Sequence, residues 1–203
     1  MCGRIIGRAI RCARFNLETR NKFLRLAVDL RAQFNPGGWQ GRIDEIVTET
    51  AMTGLYFEQF EIGRVFVHAI TRTVTEMDNT LFSCLTLNVQ PLHLDHHFAA
   101  KTEWGKPLVN SLFTLGLMIG ISVADTTLGT TIGNLGMTDV RFPHPVFHGD
   151  TIHVTTEIVS VRESASRPDA GIVEFLHRAY NQEDALVAEC RRAGFMRKAP
   201  VAA

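Results

Sequence analysis

Two stretches of this 203-residue chain carry residue types that could act on a substrate, and they lie close together. The first reads Asn88-Val89-Gln90-Pro91-Leu92-His93-Leu94-Asp95. Pro91 stiffens this polar loop and presents His93 at a defined place. Histidine titrates near neutral pH, which suits it to moving a proton. The second is Asn110-Ser111, two good N-cap residues, followed by an apolar run from Leu112 to Val123. A helix start leaves backbone N–H groups without partners, and such groups can hold a developing negative charge. Asn88 adds an amide that can hold a water molecule or cap its own loop. Ser111 adds a hydroxyl to its N–H.

Other side chains compete for chemical roles. Asp78 could supply a carboxylate, although an acid in the first turn of a helix is favourable by itself. His96 and His97 beside Asp95 invite a metal reading. Adjacent helical side chains point apart, however, and no Cys or Glu cluster joins them, so no metal is expected. Arg191, Arg192, Arg197 and Lys198 could grip phosphate groups or simply solvate the end of a strand.

The elements that must position these residues are readable from pattern. Val65, Val67, Ala69 and Ile70 with Thr71 and Thr73 suggest a strand. Thr75-x-x-Asp78 before Leu81, Phe82 and Leu85 reads as a capping box and a short helix. The run from Leu112 to Val123 is apolar on every side, broken only by Thr114, Ser122, Gly116 and Gly120. A helix of that kind is wrapped by other structure. Its two glycines suit close helix–sheet packing. Thr130 to Phe142, Thr151 to Val161, Ile172 to Tyr180 and Ala185 to Met196 read as four antiparallel strands. Ile152, Val154, Thr156 and Ile158 share one face of the second. One curved sheet around a central helix satisfies the whole set, an α+β fold.

The 21 basic residues balance 21 acidic ones, so no basic face calls for nucleic acid. The four cysteines are scattered without a C-x-x-C pair, which points to a reducing compartment rather than a disulfide framework. The longest apolar run is too short to cross a bilayer, and no membrane partner is expected. Residues 1–51 look foreign to the rest. From Met1 to Arg31 eight basic residues face only Glu18 and Asp29, with Ile5, Ile6, Ile10 and Phe15 at near-helical spacing. Such a start resembles an organelle transit peptide, which would make the protein mitochondrial. The plainer reading begins the domain at Met52, spanning 52–203, in a cytoplasmic protein.

Pro91-Leu92-His93-x-Asp95, Ala99, Gly105, Pro107 and Phe142-Pro143-x-Pro145-Val146-x-x-Gly149-Asp150 resemble the MaoC-like dehydratase family of hot-dog-fold proteins. The resemblance runs from Tyr56 to about Lys198. Asn110 to Gly116 and Arg162 to Pro168 are closest to the branch linked to mesaconyl-CoA and β-methylmalyl-CoA hydration. The resemblance implies an antiparallel sheet wrapped around a long central helix and a homodimer or higher homo-oligomer. It implies an acyl-CoA entering near the dimer seam and reversible addition of water to a short, branched or dicarboxylic 2-enoyl-CoA. No cofactor is implied beyond the coenzyme A of the substrate. In the family an Asp and the His of the loop activate water, and N–H groups at the helix start polarise the thioester. Here Asn88 stands at the loop Asp position, Gln90 at the Asn position, and Asn110-Ser111 in place of a His-Gly pair. The implied catalytic set is His93, Asn88 and Ser111, with Asn110, Pro91 and Arg192 toward the substrate. Two rival readings keep the same fold: an acyl-CoA thioesterase, and a non-catalytic acyl-CoA-binding subunit, which the amide at Asn88 suggests.

Overall fold

The alternation of Thr151 to Val161 becomes strand β4 (Thr151–Glu163), on which the sheet is assembled. A computed structural model describes residues 54–200, so the arginine-rich extension 1–51 lies outside the described residues. Strand β4 pairs antiparallel with two short strands, β1 (Val65–Val67) and β2 (Arg72–Thr73), and with β5 (Ala170–Tyr180). Beyond β5 come β6 (Leu186–Arg197) and β3 (Thr131–Arg141), in the order β1-β4-β5-β6-β3. Ahead of β3 lie four helices: α1 (Glu76–Leu85), α2 (Pro91–Leu94), α3 (His96–Ala99) and α4 (Ser111–Thr126).

Helix α4 lies across β4, β5 and β6, and its Met118 and Ile121 pack with Ile152, Val154, Ala179 and Cys190. Each such fully buried aliphatic side chain contributes about 1.5–3 kcal/mol. A second cluster gathers Phe57, Phe60, Ile158, Val173, Phe175 and Met196. The expected face of β4 is the buried one: Ile152, Val154, Thr156 and Ile158 are all fully enclosed. This is the α+β hot-dog arrangement, a long helix laid on an antiparallel sheet.

Three expectations need correction. The strand expected across 65–73 is two short strands, because His68 turns inward between them. Its Nδ1 lies 2.7 Å from Asp125 Oδ2 and its Nε2 2.8 Å from Thr156 Oγ1. Helix α4 is not covered all round within one chain: Leu112 is 57% exposed, and Gly116 and Gly120 continue that open stripe. The two glycines therefore do not serve helix–sheet packing. A Cβ added at either would meet nothing within 4 Å.

A row of polar side chains separates the two apolar clusters. Thr156 Oγ1 lies 2.8 Å from His177 Nδ1, and Arg192 Nε donates to His177 Nε2 at 3.1 Å. The Arg192 guanidinium carbon sits 4.7 Å from the centre of the Phe175 ring. With the His68 contacts this makes an unbroken line from Asp125 to Arg192. Its two ends have a fixed direction, because an arginine N–H only donates and a carboxylate only accepts. The His177 imidazole is therefore neutral and protonated on Nδ1. Burial first, then the charges of Arg192 and His68, push the His177 pKa down to about 2.

Candidate functional site

The capping box forms as its sequence implies and sets the start of α1. Thr75 Oγ1 accepts from Asp78 N–H at 3.2 Å, and Asp78 Oδ2 accepts from Thr75 N–H at 2.8 Å. Asp78 also pairs with Arg72 at 2.8 Å. Burial opposes ionisation there, but the Thr75 hydrogen bonds and Arg72 outweigh it and hold the carboxyl below its usual range. Asp78 is thus occupied as a cap, and the carboxylate role considered for it has no geometric support.

Helix α1 ends with Leu87 in the left-handed region at φ +56°, a conformation that costs a branched residue about 1–2 kcal/mol. The next residue begins the loop. Asn88 N–H donates to Ser83 O at 2.9 Å, and Asn88 Oδ1 accepts from Gln90 N–H at 3.2 Å. The amide oxygen is thus engaged in holding the turn. Pro91 opens α2 at a position where its missing N–H costs nothing.

His93 sits half-buried in that short helix rather than in an irregular loop. Its Nδ1 lies 2.9 Å from Leu108 O. A carbonyl only accepts, so Nδ1 carries the hydrogen, and the neutral ring keeps its lone pair on Nε2. That is the protonation state a base needs. Leu108 begins a short extended segment tied to α2 by Leu108 N–H to Leu92 O at 3.1 Å. It is tied to the proline turn by Val109 N–H to Val146 O at 2.9 Å.

Asn110 ends this segment and caps α4. Its Oδ1 accepts from Leu112 N–H at 3.1 Å, and its carbonyl accepts from Phe113 and Thr114 at 3.0 and 3.2 Å. The Ser111 N–H makes no hydrogen bond among the described residues. A cavity of about 220 Å³ opens against this first turn. Ser111, Thr114, Leu108, Trp104 and the turn Phe142 to Val146 line it. Of the expected site residues, Ser111 faces this cavity directly. His93 is not itself a lining residue; it is held by the carbonyl of Leu108, which is.

The remaining expectations fare differently. Asn110 is buried and acts as the cap. Arg192 does not line this cavity: its side chain is buried in the polar row, where Nε donates to His177. Arg191 pairs with Asp139, and Lys198 with Glu163. His96 pairs with Glu76 at 2.9 Å. Among the described residues no three His, Cys, Asp or Glu side chains converge, and no helix is long and apolar enough to cross a membrane.

Two residues at the site were not singled out from sequence. Asn79 is fully buried within α1 and donates from Nδ2 to His93 O and to Leu108 O, both at 3.0 Å. Its Oδ1 accepts from Asn110 N–H at 2.8 Å. His148 Nε2 lies 3.0 Å from the same Nδ2. Burial lowers the His148 pKa, Glu76 pulls it up, and His96 and Lys106 add to the lowering. An asparagine inside a helix carries no signal in sequence, because its importance lies in long-range partners.

Residues 57–177 match the model of the MaoC like domain. The chain is 32% identical to a beta-methylmalyl-CoA dehydratase of Chloroflexus aurantiacus over 71% of its own length and 41% of the relative's. It is 29% identical to a mesaconyl-CoA hydratase of Cereibacter sphaeroides over 74% of its length and 43% of the relative's. It therefore spans less than half of each. Among solved structures it resembles a monoamine oxidase regulatory protein from Archaeoglobus fulgius, with a TM-score of 0.65 and 34% identity. That likeness covers 72% of this chain and 97% of the other.

Proposed function

The chain belongs to the MaoC-like domain family, and on that footing we propose that it hydrates a 2-enoyl-CoA reversibly. The observation that carries this reading is the link through Leu108, whose carbonyl holds the His93 ring and which lines, with Ser111, the cavity at the start of α4. The ring has Nδ1–H committed to Leu108 O, which leaves Nε2 as a base. Three residues after Leu108 the helix begins at Ser111, which lines the cavity and whose N–H has no hydrogen bond among the described residues. In the proposed reaction Nε2 takes a proton from water as its oxygen bonds to the β-carbon. The π electrons move onto the thioester oxygen, where the Ser111 N–H and the positive end of the helix dipole hold them. The enolate collapses as the α-carbon takes the proton back from His93, so one histidine serves as base and then acid. Coenzyme A enters as part of the substrate, and no other cofactor takes part.

A homodimer fits this reading. Leu112, Gly116 and Gly120 leave one stripe of α4 open, and Leu135 and Val140 expose apolar surface on the edge strand β3. The size of the acyl group is open between short apolar, branched and dicarboxylic chains such as mesaconyl.

The test follows loss of the enoyl-thioester absorbance with crotonyl-CoA and mesaconyl-CoA. Wild type should consume at least one of them, and His93→Ala should lose roughly 10²–10⁴-fold in kcat/KM, the usual worth of a positioned acid–base group. Equal rates for wild type and variant would overturn the role of His93. One observation favours a second reading, a non-catalytic acyl-CoA-binding subunit: Asn88 holds a turn where the family pattern has a carboxylate. Acyl-CoA binding without hydration or free thiol release over the panel would establish it.

A further inference from the structure

The hydratase reading uses His93 and the α4 start but leaves unexplained what keeps the two in register. They belong to separate segments, and neither touches the other through a side-chain bond among the described residues. We infer that Asn79 is the positioning residue of this site, a single buried amide that ties the His93 backbone and the carbonyl holding its ring to the cap of α4. The inference rests on the hydratase reading for its kinetic consequence but not for its geometry.

The orientation of the amide is settled by its partners. Asn110 N–H can only donate, so the atom 2.8 Å from it is the Asn79 oxygen. The opposite atom, Nδ2, then faces His93 O and Leu108 O, which can only accept. Leu108 O is also the acceptor that holds the His93 Nδ1–H. One side chain therefore grips the backbone of the histidine, the carbonyl that fixes its tautomer, and the residue that caps the helix. Asn79 is fully buried, so water does not substitute for any of these bonds.

His148 completes the arrangement. Its Nε2 is a third acceptor for an amide with two hydrogens. Burial lowers the His148 pKa, which favours a neutral ring able to accept from Nδ2. The groups around that ring are Glu76 of α1, His96 of α3 and Lys106 of the following loop.

The test has three arms. In the wild type, ¹⁵N spectra of the histidine rings should show His93 protonated on Nδ1 and unprotonated on Nε2. A ring protonated on Nε2 overturns the inference without any variant. In Asn79→Asp the Asn110 acceptor is kept, but a carboxylate oxygen replaces the donor that faced two carbonyls. The His93 ring should then populate both tautomers, and kcat should fall at least 30-fold while KM changes less than threefold. A merely structural asparagine would lower the melting temperature and leave the tautomer and kcat in place, and that result also overturns the inference. If Asn79→Asp does not fold, Asn79→Ser supplies the same readouts with one donor retained. A wild type with no hydratase activity removes the proposed reaction, whereas the tautomer arms still decide the role of Asn79.

Discussion

Replacing Thr156 by Val removes one hydroxyl and leaves two buried imidazole nitrogens without partners. In the native chain His177 Nδ1–H donates to Thr156 Oγ1 at 2.8 Å, and the same hydroxyl is hydrogen-bonded to His68 Nε2 at 2.8 Å. Thr156 and His177 are fully buried and His68 nearly so, which rules out rescue by solvent. Each stranded donor or acceptor costs about 1–3 kcal/mol. The methyl that replaces the hydroxyl returns at most about 0.8 kcal/mol of apolar burial. The net loss is therefore about 3 kcal/mol, which for a chain of this size lowers Tm by roughly 6–12 °C. Urea unfolding followed by circular dichroism measures it, with Thr156→Ser as the control. Serine keeps both hydrogen bonds and loses one methyl, a change of about 1 kcal/mol. An unchanged m-value would show that the shift in midpoint is one of stability. If Val and Ser variants agree within about 0.5 kcal/mol, the relay does not hold the core as argued. The reasoning would fail at its first step, the hydrogen bonds of Thr156 to the two imidazoles.

His177 also makes stability depend on pH. Its folded pKa is pushed down to about 2, whereas an unfolded histidine titrates near 6.5, so between those values the unfolded chain binds the extra proton. Stability from this group is complete above about pH 6.5 and is lost as pH falls, by roughly 1.4 kcal/mol at pH 5.5. His177→Gln should lose roughly that much less stability between pH 7.5 and 5.5 than wild type, and equal losses in the two proteins would refute it. Gly171→Ala places a Cβ 2.0 Å from Phe57 Cε2. The ring must leave its place, and thermal unfolding should report a loss of about 1–3 kcal/mol, against no change if Phe57 moves freely. Burial raises the Cys190 thiol to about 11, while Cys84 is exposed. Iodoacetamide with peptide mapping should label Cys84 within minutes and Cys190 only in denaturant, and equal labelling would contradict the packing of β6.

Local patterns in the chain were enough to place the main elements. Alternation marked β4 and its buried face, because a strand turns successive side chains to opposite sides whatever its partners are. The capping box at Thr75 and Asp78 and the N-cap at Asn110 were legible for the same reason, since both are bonds between near neighbours in sequence. His93 and Ser111 stood out because their residue types and the elements around them already imply a base and free N–H groups. What the tertiary structure alone decided are the contacts between distant positions. Asn79 reaches Asn110, and His68 reaches Asp125 and Thr156, across spans on which no periodicity reports. The same holds for Arg192. A strand-end arginine looks solvated in sequence, but the face it occupies depends on which strands flank β6 and what covers them. That packing buries Arg192 beside His177, away from the cavity at the start of α4. Pairing and coverage of this kind depend on where remote segments meet, and that is settled only when the whole sheet closes over its helix.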